Sequence, residues 1–265
     1  MLGSISKILK NNIIKRGVGY TELKYNHRKK FHNELQSQKK GRFENIFYKA
    51  IYNINEDFFN YLENNAKDSE ILDYGCGIGS SIEKVIKFKP KKIVGIDISE
   101  VSINKAKKKA EELKINVNYR VDNCEKTSFN NNSFDVVYGS GILHHLQIDK
   151  CLDEIYRILK SNGNLVFIEP LGTNPIINLY RKLTPNSRSK DEHPMLSKDF
   201  KYINKKFIDT KIKYYGFLTL IFFPFYRSPN HSRFFKLLST LDQYLFKLKF
   251  FQLFAWSVLV VAKKN

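Results

Sequence analysis

The fold is decided by the stretch Ile71-Leu72-Asp73-Tyr74-Gly75-Cys76-Gly77-Ile78-Gly79-Ser80-Ser81, which joins an apolar run and an acid to three alternate glycines. The apolar run predicts a buried strand that ends at Asp73, and the residues from Ile82 predict a helix. Glycine at these three positions leaves alternate residues of the turn without a Cβ, so the backbone can bend sharply and a ligand can approach it closely. Such a unit is typical of nucleotide cofactor sites at the carboxyl edge of a parallel sheet, and it is also compatible with an ordinary glycine-rich loop.

Short apolar runs alternate with amphipathic segments from residue 70 onwards, which predicts a mostly parallel sheet with helices between the strands. The predicted strands are Ile71–Asp73, Ile93–Asp97, Val117–Val121, Phe134–Tyr138, Asn164–Glu169, Thr210–Leu220 and Ala255–Ala262. The predicted helices are a segment from Ile82 to before Pro90, Ser99–Lys114, Asp149–Leu159, Ser197–Phe207 and Ser232–Phe250. The last of these is expected to turn six apolar residues inward: Phe234, Phe235, Leu238, Leu241, Leu245 and Leu248. Gly163 is expected to end the third helix, and Leu171–Met195 to form a long polar loop.

The chain has 265 residues, enough for one sizeable domain, and its 45 Lys and Arg against 26 Asp and Glu give a net charge of +19. This charge indicates either an anionic partner, such as a nucleic acid or a membrane surface, or a lysine-rich composition whose side chains are simply solvated. Lysine is scattered through every segment, which favours the second interpretation.

Three cysteines, Cys76, Cys124 and Cys151, lie within predicted core elements and are odd in number, so we expect a reducing cytoplasm without a disulfide framework.

Met1 to Lys15 lacks the long apolar core and cleavage site of a signal peptide. Its apolar residues recur at helical spacing, which indicates a flank packed on the main domain or a helix on a membrane surface. Tyr214 to Tyr226 is the most hydrophobic run but is too short to span a bilayer. The expected location is therefore cytoplasmic, with peripheral membrane association as the alternative.

Asp97 ends the second predicted strand, 24 residues after Asp73. A carboxylate at this place can accept hydrogen bonds from both hydroxyls of a ribose, which no basic or amide side chain does as well. An acid that caps the following helix is the alternative. A dinucleotide enzyme would instead show two residues before the third glycine, whereas Gly77 and Gly79 are separated by one.

The chain resembles the class I S-adenosylmethionine-dependent methyltransferases over about residues 70 to 170. The resemblance is carried, in order, by Ile71–Gly79, Val94–Ser99, Asn123–Phe129, Ser133–Val137, Leu143–Leu146 and Leu159–Leu165. It implies a Rossmann-like α/β fold with a mostly parallel seven-stranded sheet, helices on both faces, a helical N-terminal flank and a helical and aromatic cap near the C-terminus. It also implies three regions: a flank or lid at 1–65, a cofactor-binding core at 66–170, and a substrate cap with the last strands at 171–265.

The same resemblance implies S-adenosyl-L-methionine as cofactor and gives each matching position a role. Asp73 and the backbone of Gly75, Cys76, Gly77 and Gly79 would hold the methionine end, with Asp73 near the amino group. The other implied contacts are Asp97 with the ribose, Ile98 with the adenine face, Asn123 and the Cys124 backbone with the adenine edge, and Ser140 with the methionine tail. Asn123 stands where the family usually has an aspartate, and Asn162 where it usually has proline or glycine.

A block after the fifth strand, from Glu169-Pro170-Leu171-Gly172 to Asp191-Glu192-His193-Pro194, looks like a subgroup of small-molecule methyltransferases. A general base is needed only when the methyl acceptor must lose a proton, since the protein chiefly aligns the reacting atoms. The candidates are Glu169, His145 (rather than His144) and His193, each of which is also compatible with a structural or surface role. No Cys and His spacing indicates a metal site.

Aromatic residues concentrate after residue 200 and indicate either core packing or an apolar cap over the acceptor pocket. We therefore predict a methyltransferase of a small, hydrophobic or lipid-like acceptor. The alternatives are a methyltransferase of RNA or another polyanion, which needs basic residues around the cleft mouth, and a non-catalytic cofactor-binding protein at a membrane surface.

Overall fold

A seven-stranded sheet forms the centre of the protein in the computed structural model, which describes residues 26, 28–30, 32–34, 46–184, 192–226 and 228–265. The strands are β1 (Glu70–Tyr74), β2 (Lys92–Asp97), β3 (Asn118–Val121), β4 (Phe134–Ser140), β5 (Leu159–Pro170), β6 (Ile208–Tyr215) and β7 (Ser257–Lys263). Their order is β3-β2-β1-β4-β5-β7-β6, and β7 runs antiparallel to both of its neighbours while the other pairings are parallel. The predicted fold class is therefore confirmed.

Helices cover both faces of the sheet. They are α1 (Tyr52–Ala66), α2 (Ile82–Val85), α3 (Glu100–Glu112), α4 (Ile148–Ile158), α5 (Pro175–Leu183), α6 (Ser197–Lys206), α7 (Leu218–Ile221), α8 (Arg233–Leu245) and α9 (Lys249–Gln252). Alternate strand residues face opposite sides, so Leu72 and Val137 pack in the core that contains α4, whereas Ile71 and Val136 pack in the core that contains α1. Each large apolar side chain buried in this way contributes about 1.5–3 kcal/mol to stability.

The turn after α4 differs from the prediction. The helix ends at Ile158 and β5 begins at Leu159, so Gly163 does not terminate the helix. The left-handed residue is Asn162, with φ 60°, a conformation that asparagine tolerates. Gly163 is needed for another reason, because a Cβ there would lie 2.8 Å from the carbonyl oxygen of Lys160.

The predicted long loop Leu171–Met195 contains a helix, α5. The side chain of Asn174 accepts hydrogen bonds from the backbone N–H groups of Ile176 and Ile177, and Pro175 occupies the first turn. An Asn-Pro pair is a strong helix start, because the amide caps free N–H groups and proline lacks one. Residues 185–191 of this connection, like the predicted helix face in residues 1–15, lie outside the described residues.

Two C-terminal predictions are also wrong in their bounds. The strand predicted over Thr210–Leu220 ends at Tyr215, because Gly216 turns the backbone with φ 82° and α7 follows. The helix predicted over Ser232–Phe250 is divided into α8 and α9. Three of its predicted inward residues are exposed: Phe234, Leu241 and Leu248. The buried face of α8 instead includes Asp242, which accepts hydrogen bonds from the first N–H groups of α7.

Candidate cofactor and acceptor site

A cleft lies at the carboxyl edge of the sheet, beside the point between β1 and β4 where the strand order reverses. Ligands of open α/β sheets bind at such a place. Its lining residues are Arg28, His32, Gly75, Asp97, Ile98, Asn123, Cys124, Ile142, His145 and Leu146. Six of these were predicted from the sequence: Gly75, Asp97, Ile98, Asn123, Cys124 and His145. The cleft volume is about 40 Å³, little more than the space of one water molecule.

The glycine loop has the geometry that its sequence predicts. Gly75, Gly77 and Gly79 have φ of 76°, 53° and 72°, all in the left-handed region that favours glycine. A Cβ at Gly75 would overlap Ile142, and one at Gly79 would lie 2.7 Å from the Tyr119 hydroxyl, whereas one at Gly77 would meet nothing within 4 Å. The backbone at Gly77 therefore opens onto free space, as a ligand that lies along the loop requires.

Asp73 is buried at the end of β1. One carboxylate oxygen accepts a hydrogen bond of 2.7 Å from the Ser81 hydroxyl, which follows the glycine loop. Burial raises the pKa of Asp73 to about 6, although hydrogen bonds from Ser81 and Tyr138 lower it. The carboxyl group is therefore poised to ionise near neutral pH, and a neighbouring cation would favour its charged form.

Asp97 links β2 to the glycine loop. Its Oδ2 accepts a hydrogen bond from the N–H of Gly77 (3.0 Å), and its Oδ1 accepts one from the N–H of Ser99 (2.8 Å). Burial raises the pKa of Asp97, and these backbone N–H groups oppose the rise. Because a carboxylate has further lone pairs, Asp97 can hold the loop and accept ribose hydroxyls together.

The adenine-side candidates follow β3. The side-chain oxygen of Asn123 accepts a hydrogen bond of 2.9 Å from the N–H of Glu125, so it shapes the turn in addition to facing the cleft. The Cys124 carbonyl accepts a hydrogen bond from the Tyr74 hydroxyl, which fixes this backbone against β1. All three cysteines are buried and none forms a disulfide. Ser140 is exposed at the end of β4 and does not line the cleft.

Glu169 is fully buried at the end of β5 and clamps the 3₁₀ turn Leu143–His145. Its Oε1 accepts hydrogen bonds from the N–H groups of Ile142 (3.0 Å) and Leu143 (2.7 Å). Its Oε2 accepts from the N–H of His144 (3.3 Å) and lies 2.7 Å from Nδ1 of the same residue. This carboxylate therefore positions the turn that carries both histidines.

His144 and His145 lie side by side, with ring centroids 4.0 Å apart. His145 lines the cleft and meets the His32 ring edge-on at 5.4 Å. Glu192 approaches both histidines, 3.8 Å from Nε2 of His144 and 4.0 Å from Nδ1 of His145. The third predicted candidate, His193, is half-buried and donates its backbone N–H to the His144 carbonyl (2.8 Å). The structure thus brings all the base candidates to one edge of the cleft.

Sequence reasoning missed the pair that closes the cleft, Arg28 and Glu125. The guanidinium group of Arg28 donates to both oxygens of Glu125, at 2.8 and 2.9 Å, and also to the carbonyl of His145. Burial raises the pKa of Glu125, but hydrogen bonds from Arg28 and from the N–H of Gln147 outweigh this and hold it below its usual value. Ninety-seven positions separate the two residues, so no local pattern could reveal their contact.

A larger hollow of about 400 Å³ lies at the opposite, amino edge of the sheet, beside the starts of β1, β2, β3 and β4. It is lined by mostly polar residues, among them Glu70, Lys92, Asn118 and Arg120. None of the predicted site residues is among its lining. The predicted cofactor-binding residues therefore lie at the smaller cleft, at the carboxyl edge of the sheet where the glycine loop is, and not at the larger hollow.

Comparison with known proteins agrees with this geometry. A family model described as a methyltransferase domain matches residues 71–163. The demethylmenaquinone methyltransferase of Bacteroides fragilis is 33% identical over 107 residues, which are 39% of this chain and 44% of that protein. A sterol 24-C-methyltransferase of Neurospora crassa is 32% identical over 111 residues, 41% of this chain and 29% of that protein. The chain thus spans less than half of these curated relatives.

Solved structures share the fold over a longer range. Geranyl diphosphate C-methyltransferase from Streptomyces coelicolor, in complex with Mg²⁺, geranyl diphosphate and S-adenosyl-L-homocysteine, aligns with a TM-score of 0.58 and 15% identity. The alignment covers 79% of this chain and 78% of that one. The segment that the family model matches contains the glycine loop, Asp97 and the histidine turn, so residues 71–163 form a methyltransferase domain.

Proposed function

We propose that the protein transfers a methyl group from S-adenosyl-L-methionine to a small, apolar acceptor. The observation that carries this proposal is the joint geometry of the glycine loop and Asp97, with open space at Gly77. The residues present fit the cofactor. Asp73 would face its amino group, the loop backbone its methionine end, Asp97 its ribose, and Ile98, Asn123 and Cys124 its adenine. Bound there, the cofactor supplies a methyl group already activated by the positive sulfur.

The chain's own residues have the tasks of alignment and exclusion of water. The buried Arg28–Glu125 pair closes the adenine side of the cleft. Ile142 and Leu146 give the cleft apolar walls, and His145 is a polar group on the same lining. For an acceptor that must lose a proton, His145 is the candidate base with the best access. Glu169, by contrast, already accepts hydrogen bonds from the turn Leu143–His145.

An apolar acceptor is favoured by the names of the relatives. Demethylmenaquinone and sterol are named for two of them, and geranyl diphosphate for a structural neighbour. Methylation of RNA is the second candidate because of the +19 charge. Among the described residues that line the cleft, Arg28 is the one basic side chain other than histidine, and it is paired with Glu125. This lining does not provide the basic mouth that an RNA substrate requires.

The proposal is tested by following S-adenosyl-L-homocysteine formation with three acceptor classes: a prenylated hydroquinone, a sterol and a structured RNA. We expect turnover with an apolar acceptor and none with RNA. Salt-sensitive RNA methylation would replace the proposal with the second candidate. Absence of any S-adenosyl-L-methionine binding would overturn both.

Cofactor affinity is expected to depend on pH through Asp73. The raised pKa of about 6 means that a large part of this group is protonated below pH 6 in the free protein. Because the cationic amino group of the cofactor favours the carboxylate, affinity should rise about tenfold from pH 5 to pH 7. Calorimetric titrations across this pH range measure the cofactor affinity, and Asp73→Asn should make that affinity nearly independent of pH. A wild-type affinity that is constant over the same range would contradict the assignment of Asp73.

We further propose that the acceptor is taken from an anionic membrane by an apolar stripe on and just after α8. The stripe consists of Phe234, Leu237, Leu241, Tyr244 and Leu248, which are between 40% and 62% exposed. Their spacing places them along one side of the helix. Exposed Arg233, Lys236, Lys247 and Lys249 flank the stripe and supply charge complementarity to anionic lipid. Among the described residues, no helix is long and apolar enough to cross a bilayer.

Flotation with vesicles that contain phosphatidylserine tests the stripe. We expect wild-type protein to float with these vesicles, and the double variant Leu241→Gln, Leu248→Gln to bind at least tenfold more weakly, since each buried leucine contributes about 1.5–3 kcal/mol. Leu113→Gln, a similarly exposed leucine at the end of α3, is the matched control and should bind normally. Equal flotation of the double variant would refute docking by this face.

A further inference from the structure

His144, His145 and Glu192 form a group of ligand atoms from two separate parts of the chain. One imidazole nitrogen from each histidine and one carboxylate oxygen lie within 4.8 Å of one another. Both histidines are buried, and Glu192 is nearly so. Sequence spacing does not reveal the group, because 47 residues separate His145 from Glu192. We propose that this triad binds a divalent first-row transition-metal ion beside the cofactor cleft.

The contact between Glu169 and His144 supports this proposal. Oε2 of Glu169 lies 2.7 Å from Nδ1 of His144, so this nitrogen donates its hydrogen, and in the neutral imidazole Nε2 then keeps its lone pair. That lone pair faces Oε1 of Glu192 at 3.8 Å. A carboxylate that orients a histidine through its other nitrogen is the usual outer contact of a metal-binding histidine.

The segment that carries Glu192 is held in place by backbone hydrogen bonds. The N–H of His193 donates to the carbonyl of His144 (2.8 Å), and the N–H of Met195 donates to that of Pro170 (3.0 Å). The N–H of Gly172 returns a bond to the carbonyl of Met195 (2.9 Å). The Glu192 backbone is therefore anchored to the end of β5 and to the histidine turn. Such preorganisation lowers the cost of bringing three ligands together.

The distances and the ligand types select the class of ion. Ligands of a tetrahedral zinc ion lie roughly 3.3 Å apart, given metal–ligand bonds of about 2.0–2.1 Å. The observed 3.8 and 4.0 Å from the Glu192 oxygens to the histidine nitrogens require closure by roughly half an ångström. Two imidazoles and one carboxylate suit Zn²⁺, Fe²⁺ or Co²⁺ better than Mg²⁺ or Ca²⁺, which prefer oxygen ligands. Three protein ligands leave open positions on the ion, as in catalytic sites.

The open coordination positions on the ion indicate which class of acceptor the site would bind. Because His145 also lines the cofactor cleft, an ion held there would face the space that the acceptor enters. An acceptor with a hydroxyl or carbonyl oxygen, such as a hydroquinone, would bind the ion through that oxygen. This part rests on the proposed methyl transfer, whereas metal binding itself does not.

The test uses the full chain, freed of metal by a chelator and titrated with Zn²⁺ and with Co²⁺. We expect one ion per chain by elemental analysis and the intense visible absorption of Co²⁺ in a low-coordinate site. His145→Ala and Glu192→Gln should each weaken binding at least 30-fold, whereas His231→Ala, an exposed histidine outside the triad, should not. Glu169→Gln should weaken it about 10- to 100-fold, because its amide can donate to Nδ1 of His144 and move the hydrogen to Nε2.

S-adenosyl-L-methionine affinity, measured on every variant, separates the possible failures. For Glu192→Gln, whose residue lies outside the lining of the cofactor cleft, unchanged cofactor affinity together with lost metal binding supports the inference and shows that the variant folds. If the double variant His145→Ala, Glu192→Gln still takes up Zn²⁺ as the wild type does, the ion binds elsewhere on the surface, and the proposed metal site is wrong. A wild-type chain that binds the cofactor but takes up no ion in the titration also overturns it, and it leaves the proposed methyl transfer intact. A chain that binds metal but not the cofactor overturns the proposed function alone.

Discussion

Replacement of Asp97 by alanine is expected to reduce S-adenosyl-L-methionine affinity by at least 100-fold. The carboxylate would lose its bonds to the ribose, and each hydrogen bond to a charged group contributes about 1.5–3 kcal/mol. It would also lose the bond from the N–H of Gly77, which is one of the contacts between the glycine loop and β2. Isothermal titration calorimetry measures the change directly.

Two further variants show whether the effect belongs to this site. Asp97→Asn keeps one oxygen in place and should fall between the wild type and alanine. Asp209→Ala removes an exposed carboxylate on β6 and should leave the affinity unchanged. If Asp97→Ala binds the cofactor as tightly as the wild type, the assignment of the cofactor to this cleft is wrong.

Replacement of Glu169 by alanine is expected to have the largest effect on stability. The change leaves the buried N–H groups of Ile142, Leu143 and His144 without their acceptor. Loss of one partner in such a network costs about 3–5 kcal/mol, so the melting temperature should fall by roughly 10 °C in a chain of this size. Differential scanning calorimetry measures this change.

Glu112→Ala, which removes an exposed glutamate on α3, is the matched control and should melt as the wild type does. Glu169→Gln keeps Oε1 for the bonds from Ile142 and Leu143 and should lose less stability than alanine. A Glu169→Ala protein that melts normally but has no methyl-transfer activity would show that Glu169 acts on the reacting groups and not on the turn.

The central part of the fold could be predicted because its signals are local. Apolar runs, the three glycines and an acid at each strand end determine β1, β2 and the loop between them. The positive φ values at Gly75, Gly77 and Gly79 follow from the same short pattern. The Asn174–Pro175 helix start was local too, and it was missed because the polar composition of the connection outweighed it in the prediction.

The rest of the site depends on contacts between distant segments. Arg28 with Glu125, and Glu192 with the two histidines, meet only after the sheet has formed. The apolar residues of α8 occur on more than one side of the helix, so hydrophobicity alone could not separate the buried Phe235 and Leu238 from the exposed Leu237 and Leu241. Asp242 is buried against the first turn of α7, where it accepts a hydrogen bond from the Thr219 hydroxyl, and this contact fixes which face of α8 is inward.

The buried ion pair between Arg28 and Glu125 has a kinetic consequence for turnover. A cleft of about 40 Å³ cannot exchange a nucleoside while the segment with Arg28 and His32 stays in place. Each loading and unloading event therefore requires the guanidinium group to leave its carboxylate, and two paired charges separate slowly from a buried position. For the proposed methyl transfer, we therefore expect departure of the demethylated cofactor, rather than the chemical step, to limit the maximal rate.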